Sequence, residues 1–284
     1  MNNWRGGTWT RSVAHICFGW QSLRRVSQMN ARDLLWSHRY VEAIAACRRI
    51  LSIKPDDIAA TSIMADALRA LERYKEALPL FERVDAHEKG KPQITPGHPG
   101  QQMDISCLYW FMEDRPKAIA LMRGLVDGIL DGSIQYSTDV AGGMTQGLLL
   151  YYMGVAANRP DQTAFALDYM RKRLNRLKSY HGLDSWPAPV ARYYLGEMSF
   201  GDLLAAATGQ QGLPRAIDVG RGQLLRRRRL CQVLFHDGVK SRVHGAEGQC
   251  IGRMRECYAS ENPLIEHEWY LARYEVERQQ SQTV

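Results

Sequence analysis

The sequence lacks the features of a secreted, disulfide-bonded protein. Its six cysteines include no Cys-x-x-Cys pair, and no Asn-x-Ser/Thr glycosylation site occurs. Secreted domains commonly depend on closely spaced cysteines, so reduced thiols and a cytoplasmic location are expected. A long apolar run is also missing. The longest, residues 148–157, is about half of the roughly 20 residues that a membrane-spanning helix needs, so no transmembrane segment is predicted.

Acidic residues are absent from residues 1–32, which contain five arginines and three of the seven tryptophans. An apolar core followed by a small-residue cleavage site is absent too, which argues against a secretory signal. We describe residues 1–28 as a basic N-terminal extension. Three interpretations stay open: a poorly ordered tail or an over-extended start, an organelle transit segment, or a first repeat helix that begins near Ser12.

Motifs for nucleotide, metal or catalytic sites are missing or incomplete. No GxxxxGK[ST] loop occurs, and Leu225 follows Gly220-Arg221-Gly222 where a dinucleotide loop needs a third small residue. His267-Glu268 begins like the zinc helix of a metalloprotease, but Leu271 stands where the second His belongs. This pair is interpreted as the solvated face of a terminal helix. The sequence therefore predicts no enzyme, no cofactor and no metal.

Cysteines and histidines fit structural positions better than reactive ones. Cys47, Cys250 and Cys257 fall on apolar stripes of helices, where a free thiol behaves as a small hydrophobic group. A nucleophilic cysteine would need a paired base and an electropositive setting, and the sequence indicates no such pairing. Cys107 and Cys231 are undecided. The eight histidines are scattered along the chain, so they are expected in loops and on the surface.

A spacing of 34 residues organises the first part of the chain. The repeated positions are Ala31, Leu34, Tyr40, Glu42, Ala43 and Cys47 in the first copy, and Ala65, Leu68, Tyr74, Glu76, Ala77 and Phe81 in the second. Apolar residues in each copy follow the helical period, so each copy predicts two helices joined by a tight turn. Pro55 and Asp56-Asp57 close the first copy and favour the start of the next helix.

This helix-turn-helix pattern resembles the tetratricopeptide repeat, in which small residues let paired helices approach closely. The matching positions are Ala31, Tyr40, Ala43 and Pro55 in the first copy, and Ala65, Tyr74 and Ala77 in the second. The resemblance implies an all-α fold, a helix-turn-helix repeat solenoid that forms a superhelix. It also implies a scaffold or adaptor that binds one or more proteins.

Helix-breaking residues and a weaker periodicity divide the remaining chain. Two repeats over residues 29–88 are followed by a Pro/Gly loop at 89–100 and by divergent helical pairs over 101–262. Residues 263–284 are predicted to be a capping helix and tail, because the end of a solenoid needs a polar outer face. About five or six helix pairs are expected in total.

Three short stretches in the second half carry a further resemblance. They are WPAPVARYYLGE at 186–197, LCQVLFHDG at 230–238 and IEHEWYLARYE at 265–275. They are similar to the C-terminal half of bacterial tetratricopeptide adaptors of the NlpI lipoprotein type, over about residues 100–278. The similarity implies a docking platform for hydrolases and other partners. Cys17 follows Ala-His-Ile rather than a lipobox, so lipid anchoring is not predicted.

The family resemblance also implies where a partner binds, since the first helices of successive repeats line a concave groove. The candidate groove residues are Arg25, Gln28, Arg32, Leu35 and Trp36 from the first repeat, and Ser62, Asp66 and Arg69 from the second. A clamp for a C-terminal carboxylate is disfavoured, because Asp66 would repel it. Trp36 fits either a groove contact or packing between helices.

Basic residues supply an alternative function. The chain has a formal charge of +7, which favours acidic partners. Its densest basic runs are residues 171–178 and Arg226 to Arg229. Such runs provide the nonspecific electrostatic part of nucleic-acid binding. The alternative is therefore a helical protein that binds nucleic acid through these clusters, although protein partners are the leading prediction.

Overall fold

The computed structural model describes residues 30–89, 101–134, 141–179, 182–209, 219–264 and 266–282. Within these ranges it contains 13 α-helices and no strand, which confirms the predicted all-α fold class. The helices are α1 (Ala31–Trp36), α2 (Tyr40–Ile53), α3 (Ile58–Ala70), α4 (Tyr74–Lys89), α5 (Gln102–Phe111), α6 (Arg115–Asp131), α7 (Met144–Ala156), α8 (Pro160–Lys178), α9 (Ala188–Tyr194), α10 (Phe200–Thr208), α11 (Val219–Val243), α12 (Glu247–Ala259) and α13 (His267–Gln282). The predicted extension at 1–28 and nearly all of the Pro/Gly loop lie outside the described residues.

The chain separates into two compact units, residues 1–71 and 72–284. Helices α1 to α3 belong to the first unit, and α4 to α13 belong to the second. The division falls inside the segment 29–88 that the sequence assigns to two repeats.

One turn conformation recurs between consecutive helices. A residue with left-handed backbone stands in the turn before α2, α4, α6, α8 and α12, with φ between 52° and 76°. These residues are His38, Glu72, Glu113, Asn158 and Gly245. In four of the turns a backbone N–H also bonds to the carbonyl five residues earlier, from Arg39 to Leu34, Asp114 to Tyr109, Arg159 to Gly154 and Ala246 to Ser241. This arrangement satisfies the last carbonyls of a helix and reverses the chain.

The first unit packs through small and branched apolar side chains. Helix α1 contacts α2 and α3, and α2 contacts α3. Ala43, Cys47, Ala65 and Leu68 are fully buried at this junction. Burial raises the pKa of Cys47 to about 11, which keeps the thiol protonated. The prediction that Cys47 is a core residue is confirmed.

In the second unit, glycine allows helices α7 and α8 to approach closely. A Cβ atom on Gly147 would lie 2.5 Å from the Tyr169 ring, and one on Gly154 would lie 2.7 Å from Thr163 Oγ1. Real Cβ atoms do not come so near to other heavy atoms. The helix pair predicted on either side of the Asn-Arg-Pro-Asp turn is therefore present, and it depends on residues without side chains.

The C-terminal helix is largely buried, whereas a capping helix with a polar outer face was expected. Helix α13 packs against α11 and α12, and it also contacts α5 near the start of the second unit. Tyr270, Leu271, Ala272 and Val276 are buried in these contacts, and so is Glu268. The charged residues of α13 looked solvated in sequence because their partners are far away in the chain.

Candidate functional site

The predicted groove residues of the first unit lie on α1 and α3, the first helices of the two repeat copies. These two helices are in contact. Arg25 and Gln28 fall outside the described residues. The structure therefore places six of the eight candidate groove residues, namely Arg32, Leu35, Trp36, Ser62, Asp66 and Arg69.

Arg32 and Trp36 lie one helical turn apart on α1, so their side chains share a face. Both are exposed, and Trp36 has 42% of its surface accessible. The neighbouring core residues Leu34 and Leu35 are buried. Because a tryptophan supplies a large, rigid contact area, an exposed one next to an arginine is suited to anchor a partner.

The α3 residues differ in their exposure. Ser62 is partly exposed, whereas the side chain of Asp66 is 18% exposed and that of Arg69 only 1%. Arg69 Nη2 donates to Asp66 Oδ1 at 2.6 Å. Arg69 thus offers almost no surface to a partner, and its charge compensates Asp66. The repulsion that Asp66 was expected to exert on an acidic ligand is correspondingly weaker.

A buried polar network in the second unit was missed in the sequence. The Tyr194 hydroxyl and His236 Nδ1 are 2.8 Å apart, and His236 Nε2 lies 3.3 Å from Glu268 Oε1. His236 and Glu268 are fully buried. The network joins α9, α11 and α13, which come from separate parts of the chain.

A second carboxyl group, that of Glu266, extends this network. Gln232 Nε2 donates to Glu266 Oε1 at 2.7 Å. Burial, together with the charge of Glu268, raises the pKa of Glu266 well above its usual range. Burial also disfavours ionisation of Glu268, but hydrogen bonds from His236 and Glu266 lower its pKa to about 2. The pair therefore holds a proton on Glu266 and a charge on Glu268.

The residue types in this network are those of general acid–base catalysis, but their side chains are not accessible to a substrate. His236, Glu266 and Glu268 are each at most 7% exposed, so a substrate cannot reach them in this structure. In the part of the chain that the structure describes, no group of three or more His, Cys, Asp or Glu residues is placed to hold a metal ion. The network is suited to fixing helices in place.

Two interpretations made from the sequence are wrong. His267 and Glu268 were assigned to a solvated face, but both are buried, and His267 Nε2 lies 3.0 Å from Asp104 Oδ1. His236 was assigned to the surface and is also buried. A signal was present, since His236 follows a run of apolar residues and Glu268 precedes Trp269-Tyr270-Leu271-Ala272.

Most of the run Arg226 to Arg229 is engaged within the chain. Arg227 forms an ion pair with Glu261. Arg228 donates from Nε to the Pro263 carbonyl at 3.2 Å and from Nη2 to the Leu264 carbonyl at 2.8 Å. The Arg229 side chain is 7% exposed and lies over the Trp186 ring. These arginines hold the segment between α12 and α13 and the start of α9.

The basic run on α8 is different, because it faces solvent. Arg171, Lys172, Arg176 and Lys178 are all exposed. Lys172 pairs with Asp168 at 2.8 Å, a pair whose side chains are both largely accessible. Of the two arginine clusters predicted from the sequence, the one on α8 is therefore available to a polyanion.

The recurrent turns and the packed helix pairs agree with a comparison against known families. Residues 34–95 match the tetratricopeptide repeat family model. The match begins within α1 and includes the whole of α2, α3 and α4. It supports tetratricopeptide repeats in this segment, a type of repeat that generally mediates protein–protein interaction. No curated protein matches the chain, and the similarity to NlpI-type adaptors is not confirmed. None of the helices in the described ranges combines the length and apolarity needed to cross a membrane.

Proposed function

We propose that this protein is a non-enzymatic adaptor that binds one or more proteins through a docking face, defined as Arg32 and Trp36 of α1 with Ser62 and Asp66 of α3. The observation that supports the proposal most is the 42% exposure of Trp36 beside Arg32, in a helix where the tetratricopeptide match begins. Arg69 is left out of the contact set because its side chain is buried.

The docking face suggests the chemistry of its partner. Trp36 offers apolar area, and Arg32 offers a guanidinium one turn away. Asp66 is held by Arg69 at 2.6 Å, so it adds little free negative charge. A helix or extended segment with an apolar side chain and a neighbouring carboxylate fits these features. Arg25 and Gln28 stay predictions for the same face.

Three further parts of the proposal rest on the sequence. The protein carries no catalytic site and no cofactor, since sequence motifs for nucleotide, metal and catalytic sites are missing or incomplete. Its location is the cytoplasm. Residues 100–278 act as a second docking platform of the kind that NlpI-type adaptors offer to hydrolases. The buried network around His236 would stabilise such a platform, because its hydrogen bonds connect α9, α11 and α13.

Affinity purification tests the docking face. The tagged full chain, Trp36→Ala and Ile53→Ala are compared in lysate at a low and a high salt concentration, followed by mass spectrometry. Ile53 is a matched control, because it is an exposed apolar residue of the same unit but lies on α2 and is 86% accessible. We expect a protein that the wild type and Ile53→Ala recover at both salt concentrations and Trp36→Ala loses. Equal recovery by all three would reject the docking face.

The exposed basic face of α8 supports the second candidate, a protein that binds nucleic acid. Counterion release makes such binding weaken steeply with salt. Anisotropy of a labelled single-stranded RNA separates the candidates, with Arg171→Glu/Arg176→Glu compared with Arg227→Glu. Loss of binding and of its salt dependence only in the α8 variant would favour nucleic acid. No binding by the wild type would remove this candidate.

A further inference from the structure

Two buried thiols from neighbouring helices lie unusually close to each other. Cys231 belongs to α11 and Cys257 to α12, and their Sγ atoms are 2.7 Å apart. Even non-bonded carbon atoms, which are smaller than sulfur, rest about 3.5–4.0 Å apart. A covalent S–S bond measures about 2.05 Å. The two sulfur atoms therefore need only a small movement to become bonded.

The surroundings hold this pair in place. Helices α11 and α12 pack along each other, and their backbones are close enough that a Cβ on Gly238 would lie 3.0 Å from the Cys250 carbonyl oxygen. Cys231 is 1% exposed and Cys257 is fully buried. Since both side chains are confined between the same two helices, the cost of bringing the thiols together is already met in the folded protein.

We propose that Cys231 and Cys257 are a modification site at which a low-molecular-weight disulfide, such as oxidised glutathione, generates an intramolecular disulfide. The thiolate of one cysteine attacks the reagent, so the reagent's S–S bond breaks and a mixed disulfide forms with release of one glutathione. The second cysteine attacks the protein sulfur of that mixed disulfide and releases the other glutathione. Two electrons pass to the reagent, and the two protons of the cysteines end on the released thiols.

The bond joins α11 to α12, the two helices that pack against α13. Burial raises the pKa of Cys231 well above its usual range, so little thiolate is present in the folded state and the exchange is slow. It proceeds when the pair opens locally. Once formed, the bond restricts the unfolded chain over the segment from Cys231 to Cys257 and raises the melting temperature by several degrees.

The full chain is reduced, desalted and incubated with oxidised glutathione at pH 8, then alkylated and mapped by mass spectrometry without reduction. We expect one linked peptide pair that joins Cys231 to Cys257 and has lost two hydrogen atoms. Cys250→Ala is the matched control, because Cys250 lies two turns earlier on α12 and is equally buried. It should keep the linkage, whereas Cys231→Ala and Cys257→Ala should lack it.

A second measurement does not depend on the variants. The melting temperature of the oxidised wild type should exceed that of the same sample after dithiothreitol. The proposal is overturned if the linked pair is absent while the oxidised sample carries only glutathione adducts. It is also overturned if Cys231 links to a different cysteine, or if oxidation leaves the melting temperature unchanged.

Discussion

The Tyr152 hydroxyl donates a hydrogen bond to Glu275 Oε1 at 2.7 Å, across 123 positions of the chain. The same hydroxyl accepts from Trp110 Nε1 at 2.9 Å, so one oxygen connects α5, α7 and α13. Arg242 Nη2 lies 3.0 Å from Glu275 Oε2 and compensates its charge. This relationship explains how a helix rich in charged residues is buried in the second unit.

Tyr152→Phe should destabilise the second unit by about 1–3 kcal/mol, because it leaves a buried carboxylate oxygen and an indole N–H without their partner. Urea unfolding followed by circular dichroism measures the change. Tyr151→Phe is the control, since the Tyr151 hydroxyl has no hydrogen-bond partner among the described residues and only burial raises its pKa. A Tyr152→Phe protein as stable as Tyr151→Phe would contradict the role given to this contact.

Glycine substitutions test the close approach of α7 and α8. Gly154→Ala should cost about 1–3 kcal/mol, because the new Cβ would lie 2.7 Å from Thr163 Oγ1 and 2.9 Å from the Thr163 backbone nitrogen. Gly124→Ala on α6 meets no atom within 4 Å and should stabilise the protein by about 0.4–1 kcal/mol. Thermal melts of both variants provide the measurement. If both substitutions changed the melting temperature in the same direction, the close packing of α7 and α8 at Gly154 would be contradicted.

The carboxyl pair predicts a pH dependence of stability. Because the pKa of Glu266 is raised in the folded state, the folded protein holds a proton that the unfolded chain releases near pH 4.3. The contribution of Glu266 is therefore present below about pH 4.3 and is lost as pH rises toward the folded pKa. Glu268, with its pKa lowered to about 2, contributes above about pH 4.3 and is lost as pH falls toward 2.

Glu266→Gln removes the first of these dependences. Relative to the wild type, it should be more stable at pH 8 than at pH 5, because only the wild type loses the Glu266 contribution between these pH values. Glutamine keeps an acceptor for Gln232 and a donor for Glu268. Urea unfolding at both pH values checks the result against exposed Glu197→Gln. Identical pH profiles in wild type and Glu266→Gln would show that Glu266 titrates normally.

The run Arg226 to Arg229 should behave as a structural element. Arg228→Ala should destabilise the protein by about 1.5–3 kcal/mol, because it removes charged hydrogen bonds to two backbone carbonyls. Arg227→Ala breaks an ion pair whose side chains are 51% and 60% exposed, so it should change stability by less than about 1 kcal/mol. Denaturant unfolding distinguishes them. If Arg228→Ala left the free energy of unfolding unchanged, the structural role would be contradicted and the cluster would again be a candidate binding surface.

Local pattern was sufficient to predict most of the helices. Tyr40 and Tyr74 mark the first residues of α2 and α4, and the 34-residue spacing between them follows from one repeated turn with left-handed His38 and Glu72. These elements are determined by nearby residues. Their periodicity, turns and caps can be read without any knowledge of distant contacts.

Burial of α13 and of its polar partners could not be predicted in this way. His267 meets Asp104 and Glu275 meets Tyr152 only after the chain has folded back on itself. A charged helix reads as solvated unless those partners are known. For the docking face, the sequence predicted an exposed Trp36 as one of two alternatives, but it did not reveal that Arg69 is buried against Asp66.

Photo-crosslinking tests the central claim, that the face of α1 contacts a protein partner. Benzoylphenylalanine is incorporated in place of Trp36 or, as a control, in place of Ile53, and cells that express each full chain are irradiated. The account predicts a discrete crosslinked species of higher mass from position 36 and none from position 53. No adduct at position 36, or the same adducts from both positions, would contradict it.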